Sequence, residues 1–247
     1  ISIVSITAIF ALTQQNTKTR VDISYTVDTS MLTLTLSNDG TGYSVSDCNT
    51  RAKGILCIPA IYEGKPITDI GKKAFYNCYK LTEIIIPESV TSIGDEAFIL
   101  CDELVSLSIP ANTSSIGKRI TSYCESLASI EVEEGNPVYH SDGNCLIETE
   151  SKTLMAGCKT SVIPTDGSVS SIADYAFYKS TGLTEIVIPN SVISIGSDAF
   201  GECTGLENIS IGSGLTSIGS AAFWNCNKLT GIRLPKSLNS IGHRAFY

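Results

Sequence analysis

Hydrophobic and polar positions recur along this chain at a fixed interval. The segment "LTEIIIPESVTSIGDEAF", beginning at Leu81, returns as "LTEIVIPNSVISIGSDAF", beginning at Leu183. Ile-Gly pairs begin at Ile70, Ile93 and Ile116 and again at Ile195, Ile218 and Ile241, with a step of 23 inside each group. Ile172-Ala173 is a degenerate member one step before Ile195. The other letters keep time with these anchors. Ala-Phe follows at 74–75, 97–98, 176–177, 199–200, 222–223 and 245–246, and Leu at 81, 104, 127, 183, 206 and 229.

A period of this length is the mark of a solenoid, propeller or array, and 23 residues is about one turn of a solenoid coil. It is too short for two helices or a four-stranded blade. After each Leu comes an apolar pattern of period two: Ile84-x-Ile86, Leu107-x-Ile109, Ile186-x-Ile188 and Ile209-x-Ile211. Its β-branched residues predict a short strand. Pro87, Pro110, Pro189 and Pro235 close several of these strands, because proline cannot continue the ladder. The Gly after each Ile is expected to permit a turn. The Ala-Phe-x-x-Cys piece is expected to form a short helical or 3₁₀ turn with Ala, Phe and Cys inward. A single coil buries too little to order itself, so only the stacked array folds.

The phrase "LxxIxIPxxVxxIGxxAFxxC" resembles the leucine-rich repeats of the BspA-like class, found in surface proteins, and the resemblance covers residues 55–247. It implies an α/β or mainly-β solenoid: a right-handed stack of 23-residue coils with a parallel β-sheet on one face. Ordinary leucine-rich repeats carry an Asn ladder after the strand. Here Ser89, Asn112, Ser191, Gly214 and Ser237 occupy those places, and small hydroxyls are expected to satisfy the turn amides instead.

The pattern breaks in the middle and changes at the start. Residues 55–132 form a first block of repeats and 166–247 a second block that stops mid-repeat, so the natural protein is expected to continue past Tyr247. Between them, residues 133–165 read as a β-hairpin insertion, with "SDGN" at 141–144 as its turn. Residues 21–54 alternate around Asn38-Asp39-Gly40 and read as an N-terminal β cap. Residues 1–20 are apolar at their start and read either as the remnant of a secretory signal or as a first strand.

Charge and chemistry narrow the function. The formal net charge is −8 and Lys and Arg do not cluster, which disfavours nucleic acid and anionic membranes as partners. No apolar run reaches the roughly 18 residues of a membrane span. Of the nine cysteines, Cys78, Cys101, Cys124, Cys203 and Cys226 obey the repeat, as a column of small buried thiols would. No Cys-x-x-Cys pair is present to suggest a metal, and Cys145 and Cys158 flank the insertion strands as the one candidate bridge. His140, beside Ser141 and Asp142, lies in a turn rather than in a triad arrangement, and His243 lies in the last coil. No phosphate loop, dinucleotide fingerprint or calcium loop is found. No catalytic, cofactor or metal residue is nominated, and the chain is read as a non-enzyme.

What remains is surface. The outward positions of the strands form rows that include Glu83, Ser106, Ser129, Glu185 and Asn208, and Ile85, Ser108, Glu131, Val187, Ser210 and Arg233. A second row follows the Phe of each coil: Tyr76, Tyr178, Trp224 and Tyr247. Aromatics favour interfaces, although half-buried packing on the convex side is the more ordinary role for such a row. Asn112 and Asn208 head glycosylation sequons that matter only in a eukaryotic source. The residues argue for an extended protein-interaction surface on a monomer. The resemblance implies a secreted or cell-surface scaffold that adheres to host matrix proteins or other cells. The alternative is an architectural stalk presenting another domain.

Overall fold

The computed structural model describes residues 29–247 and, before them, the backbone of two short strands, Ser5–Ile6 and Tyr25–Thr26, which pair antiparallel. Apart from that pairing, the signal-remnant reading of residues 1–20 lies outside the described residues. The chain is a mainly-β solenoid, and the only helical turn among the described residues is Thr29–Met31.

Each regular coil contributes a strand to each of two faces. On the first face, Lys53–Cys57 pairs with Lys80–Ile85, Ser106–Ile109 with Ser129–Val132, and Glu185–Ile188 with Asn208–Ile211, all parallel. The register follows the repeat: Leu107 lies opposite Ile130, and Ile186 opposite Ile209. Strand alternation turns Leu107, Ile109, Ile130, Ile186 and Ile188 into the core and their neighbours outward.

The second face was not foreseen from the sequence. Ser92–Ile93, Ser115–Ile116, Ser171–Ile172, Ser194–Ile195, Ser217–Ile218 and Ser240–Ile241 are two-residue parallel strands, Ile opposite Ile within each run. This finding corrects the role of the glycine that follows. Neither Gly94, Gly117, Gly196, Gly219 nor Gly242 has a positive φ. What each needs is the absence of a side chain. A Cβ on Gly117 would stand 2.4 Å from the Asp95 nitrogen, and one on Gly242 2.3 Å from the Ser220 nitrogen. The Gly117 and Gly242 amides donate at 2.8 Å to the Ile93 and Ile218 carbonyls.

The Ala-Phe arc is likewise not a helix. The residue before Ala and the second residue after Phe take left-handed φ in most regular coils: Lys73 and Asn77, Glu96 and Leu100, Asp198 and Glu202. Each such residue costs on the order of 1 kcal/mol. The hydrogen bonds explain why the cost is met. The amides of Ala74, Tyr76 and Cys78 close local turns to Gly71, Lys73 and Phe75. The alternate amides of Lys73, Phe75 and Asn77 instead reach the carbonyls of Asp95, Ala97 and Ile99 in the next coil. A continuous helix would turn every amide back on its own coil and forfeit that third inter-coil ladder.

The core is divided in two. Phe75 and Phe98 stack at 5.5 Å in a first cluster of buried side chains. Phe177, Phe200, Phe223 and Phe246 stack in a second file at 4.9, 5.1 and 5.4 Å. Between the files stands an antiparallel meander, Tyr139–Asp142, Cys145–Glu148 and Thr153–Ala156, whose last strand joins Ser171–Ile172 in parallel. Its alternation makes it a septum. Tyr139, Leu146, Ala156 and Cys158 belong to the first core, whereas Cys145, Ile147 and Leu154 belong to the second. The Tyr139 hydroxyl accepts the Ile116 amide at 3.1 Å, so a side chain ends the first run of short strands.

The septum coil is shortened where it meets the second block, and two repeat irregularities follow from that. Gly157 sits in the Phe position, its amide bonded to the Ala176 carbonyl, and a Cβ there would stand 2.0 Å from Phe177 Cε1. Ala173 replaces the usual Gly where the preceding coil presents Met155 and Ala156 in place of the regular arc. At the other end, Leu32–Leu36 and Tyr43–Cys48 form an antiparallel hairpin, and its second strand pairs in parallel with Lys65–Ile70.

Candidate interaction surfaces

The strand positions nominated from the repeat all point outward. Ser108, Glu131, Glu185, Val187, Asn208, Ser210 and Arg233 are exposed, and Glu83, Ile85, Ser106 and Ser129 are half-buried. The pleat places Ser106 beside Ser129 and Ser108 beside Glu131, and in the second block Glu185 beside Asn208 and Val187 beside Ser210. The rows are therefore brought together within each block and separated by the septum. Arg233 lies in a segment that forms no strand. Small hydroxyl side chains alternate on this face with exposed carboxylates.

Carboxyl groups crowd the rims of the first block. Burial raises Asp102, and the negative charges of Glu125 and Glu103 raise it further. Burial, followed by the neighbouring Glu88 carboxyl, pushes Glu133 up to about 7. Glu88 Oε2 also lies 3.4 Å from the Asn112 amide nitrogen.

The aromatic positions do not assemble into one row. Tyr76 and Tyr247 are exposed, with Lys73 and Arg244 over their rings at 5.7 and 5.4 Å. Ile99 and Ser122 occupy the equivalent places after Tyr76, and Gly201 lies between Tyr178 and Trp224. Trp224 is half-buried. Tyr178 instead joins a cluster that the sequence reading missed. Its ring lies 5.8 Å from that of Tyr123 and 5.6 Å from that of Tyr175, and its hydroxyl donates to Glu202 at 2.8 Å. Arg119 packs over Tyr175 at 4.6 Å and Tyr178 at 5.2 Å, and Lys179 over Tyr123 at 4.9 Å.

The left-handed positions of successive arcs organise this cluster. One column runs Lys73, Glu96, Arg119, Tyr175, Asp198, with Lys73 and Arg119 both paired to Glu96 at 3.2 and 3.0 Å. The other runs through Tyr123, Lys179 and Glu202, the last two ion-paired. Both columns cross the septum directly, because the shortened coil presents no arc between them. The signal was available: stepping by 23 from Lys73 gives Glu96 and Arg119, opposite charges in alternation.

The turn hydroxyls act in the reverse sense from that expected. Ser89 Oγ donates to the Ile67 carbonyl at 2.7 Å and Ser237 Oγ to the Leu215 carbonyl at 2.7 Å, so they satisfy acceptors of the preceding coil rather than amides. Ser191 Oγ is buried without a partner.

All nine cysteines are free. Cys101, Cys124, Cys203 and Cys226 donate to the Phe75, Phe98, Phe177 and Phe200 carbonyls at 3.2, 3.2, 3.0 and 3.1 Å, which stitches coil to coil. Burial pushes Cys124 up to about 12 and Cys226 up to about 11, so these thiols stay protonated and unreactive at neutral pH. Cys145 and Cys158 are unbridged and face opposite cores. No group of three or more His, Cys, Asp or Glu stands ready to hold a metal ion among the described residues. His140 Nδ1 lies 2.9 Å from Thr149 Oγ1, and its backbone pairs with Ile147, away from any nucleophile–base arrangement. A cavity of about 370 Å³ lies beside Lys118, Met155 and Asp174, and one of about 270 Å³ beside Phe223 and Phe246; neither brings a nucleophile and base together.

Comparison with known proteins agrees with this geometry. The model for the BspA type leucine rich repeat region matches residues 58–166 and 148–247, in six copies. No curated protein matches the chain. Among solved structures, the pneumococcal vaccine antigen PcpA is similar at 25% identity with a TM-score of 0.66, over 76% of this chain and 47% of that one. The chain thus spans about half the length of PcpA. A leucine rich cell surface protein from Faecalibacterium prausnitzii A2-165 is similar in fold, at 20% identity and a TM-score of 0.56, over 85% of this chain and 83% of that one. No helix among the described residues is long and apolar enough to cross a membrane.

Proposed function

The chain belongs to the BspA type leucine rich repeat family, and from that premise we propose that it is a cell-surface or secreted scaffold whose strand face binds proteins outside the cell, anchoring it to host matrix or to other cells. The observation that carries this reading is the strand face itself. Glu131, Glu185, Val187, Asn208 and Ser210 are held outward by a parallel ladder and are accessible over several coils. An exposed array extended over several coils suits a broad macromolecular partner, whereas a small substrate needs a concave pocket with convergent polar groups. The likenesses to a vaccine antigen, PcpA, and to a cell surface protein from Faecalibacterium prausnitzii support the location. An architectural stalk would need no such exposed face.

Extracellular matrix proteins coated on a surface test the reading. The wild-type chain is expected to bind. A variant carrying Glu83→Ala, Glu185→Ala and Arg233→Ala is expected to lose most of that binding with its circular dichroism unchanged. Absence of binding by the wild-type chain, to matrix and to intact host cells alike, would favour the stalk.

A further inference from the structure

The charge of this protein is segregated. Residues 82–134 hold ten Asp and Glu against two basic residues, Lys118 and Arg119, which leaves fifteen of each sign in the rest of the chain. The whole formal excess of −8 therefore resides in three coils. The two basic residues do not relieve it on the strand side, since Arg119 pairs with Glu96 and Lys118 with Asp174 on the opposite side of the coil.

Eight of the ten carboxylates lie on the strand face or its rims. Glu83 and Glu131 stand on strands Lys80–Ile85 and Ser129–Val132. Asp102, Glu103 and Glu125 form the rim where the chain enters the strands; burial, and after it the charges of Glu125 and Glu103, raise Asp102. Glu88, Glu133 and Glu134 form the rim where it leaves, Glu88 and Glu133 meeting across Ala111. Between the rims the floor is Ser106, Ser108 and Ser129, in register on paired strands. Cations stand at the edges of the face: Lys80, lying 5.1 Å from the Tyr79 ring centroid and in register with Lys53 on the adjacent strand, and Lys159, whose ammonium donates to the Glu125 carbonyl at 3.5 Å.

We infer that the strand face of residues 82–134 is the docking surface for a basic, extended polypeptide segment of the partner, rich in Lys and Arg. This rests on the scaffold reading and names the chemistry of its partner. A hydroxyl floor between two acidic rims offers acceptors at the spacing of the coils on both sides of an extended chain. A compact globular surface would touch one rim, whereas a strand-like segment running along the solenoid axis reaches both. Like-charge crowding left standing in the free protein is relieved when cations arrive, so complementarity gives both fast association and selectivity.

The test uses the full chain and a synthetic peptide of alternating Ser with Lys or Arg, followed by fluorescence anisotropy from about 50 to about 300 mM NaCl. A variant with Glu83→Gln, Glu131→Gln, Glu133→Gln and Glu134→Gln is compared with one carrying Glu63→Gln, Glu148→Gln, Glu150→Gln and Glu207→Gln. The first is expected to bind at least about tenfold more weakly and to lose most of the salt dependence; the second is expected to change by less than about twofold. Because each removes four carboxylates, equal losses in the two would mean non-specific attraction and overturn the proposal. So would failure of the wild-type chain to bind the peptide, or saturable binding of calcium alone that depends on the same four residues. If matrix binding persists while the peptide fails, the scaffold reading stands and only the chemistry named here falls. Circular dichroism of both variants confirms the fold.

Discussion

At the scale of the residue, the repeat letters prove to be constraints from the neighbouring coil. Gly117 illustrates this best. Its backbone is one that any residue adopts, yet a Cβ would sit 2.4 Å from the Asp95 nitrogen and 2.7 Å from its Cα. Those are backbone atoms, so a methyl group must push two coils apart. Gly117→Ala is expected to cost about 2–4 kcal/mol, measured by denaturant unfolding. Gly231, with nothing within 4 Å of its notional Cβ and no positive φ, is the control. Gly231→Ala should be neutral within about 0.5 kcal/mol. Equal costs at the two positions would show that glycine acts through backbone freedom rather than space. The cysteine column follows the same logic: a small side chain fits against the preceding coil, and its thiol finds the Phe carbonyl there.

At the scale of the element, the decisive piece is the septum. A strand has two faces, and here both are apolar, so Leu146 serves one core and Ile147 the other. An antiparallel meander between two parallel stacks must also terminate the stack it faces. It does so through the Tyr139 hydroxyl, which accepts the Ile116 amide in a buried setting. Tyr139→Phe keeps the ring and removes the acceptor. It is expected to destabilise the protein by about 1–3 kcal/mol, the desolvation cost of an orphaned amide. Hydrogen exchange at the Ile116 amide should accelerate while that at Ile93, in the ladder interior, does not. Unchanged protection at Ile116 would show that some other group closes that edge.

At the scale of the whole molecule, stability is carried by neighbour-to-neighbour contacts repeated along an axis. Strand register, the Phe file and the thiol column all share one step, so the array tolerates removal of a whole period and nothing else. Deletion of residues 186–208, which joins Glu185 to Ile209, restores every register and is expected to give a folded, shorter solenoid with sheet-type circular dichroism. Deletion of 186–207 shifts the second block by one residue and turns its inward side chains outward. That chain is expected to lose cooperative unfolding. Similar stability for the two deletions would refute a stack held by register.

The period, the strand of each coil, the inward Leu, Ile, Ala and Phe and the family were all legible in the chain, because each depends on local alternation repeated at a constant step. The outward direction of Glu131 and Val187 was legible for the same reason. Three things needed the tertiary structure. The Ser-Ile pairs are too short to announce a strand and become one only when another coil supplies the partner. The Ala-Phe arc has helix-compatible residues, but its amides are worth more to the next coil than to their own. The joining of Arg119 to Tyr175 and Tyr178 spans an interruption whose length hides the adjacency. The repeat determined what each residue faces within its coil, and the packing of one coil on another decided which backbone groups and charges meet, since that depends on distances no single period contains.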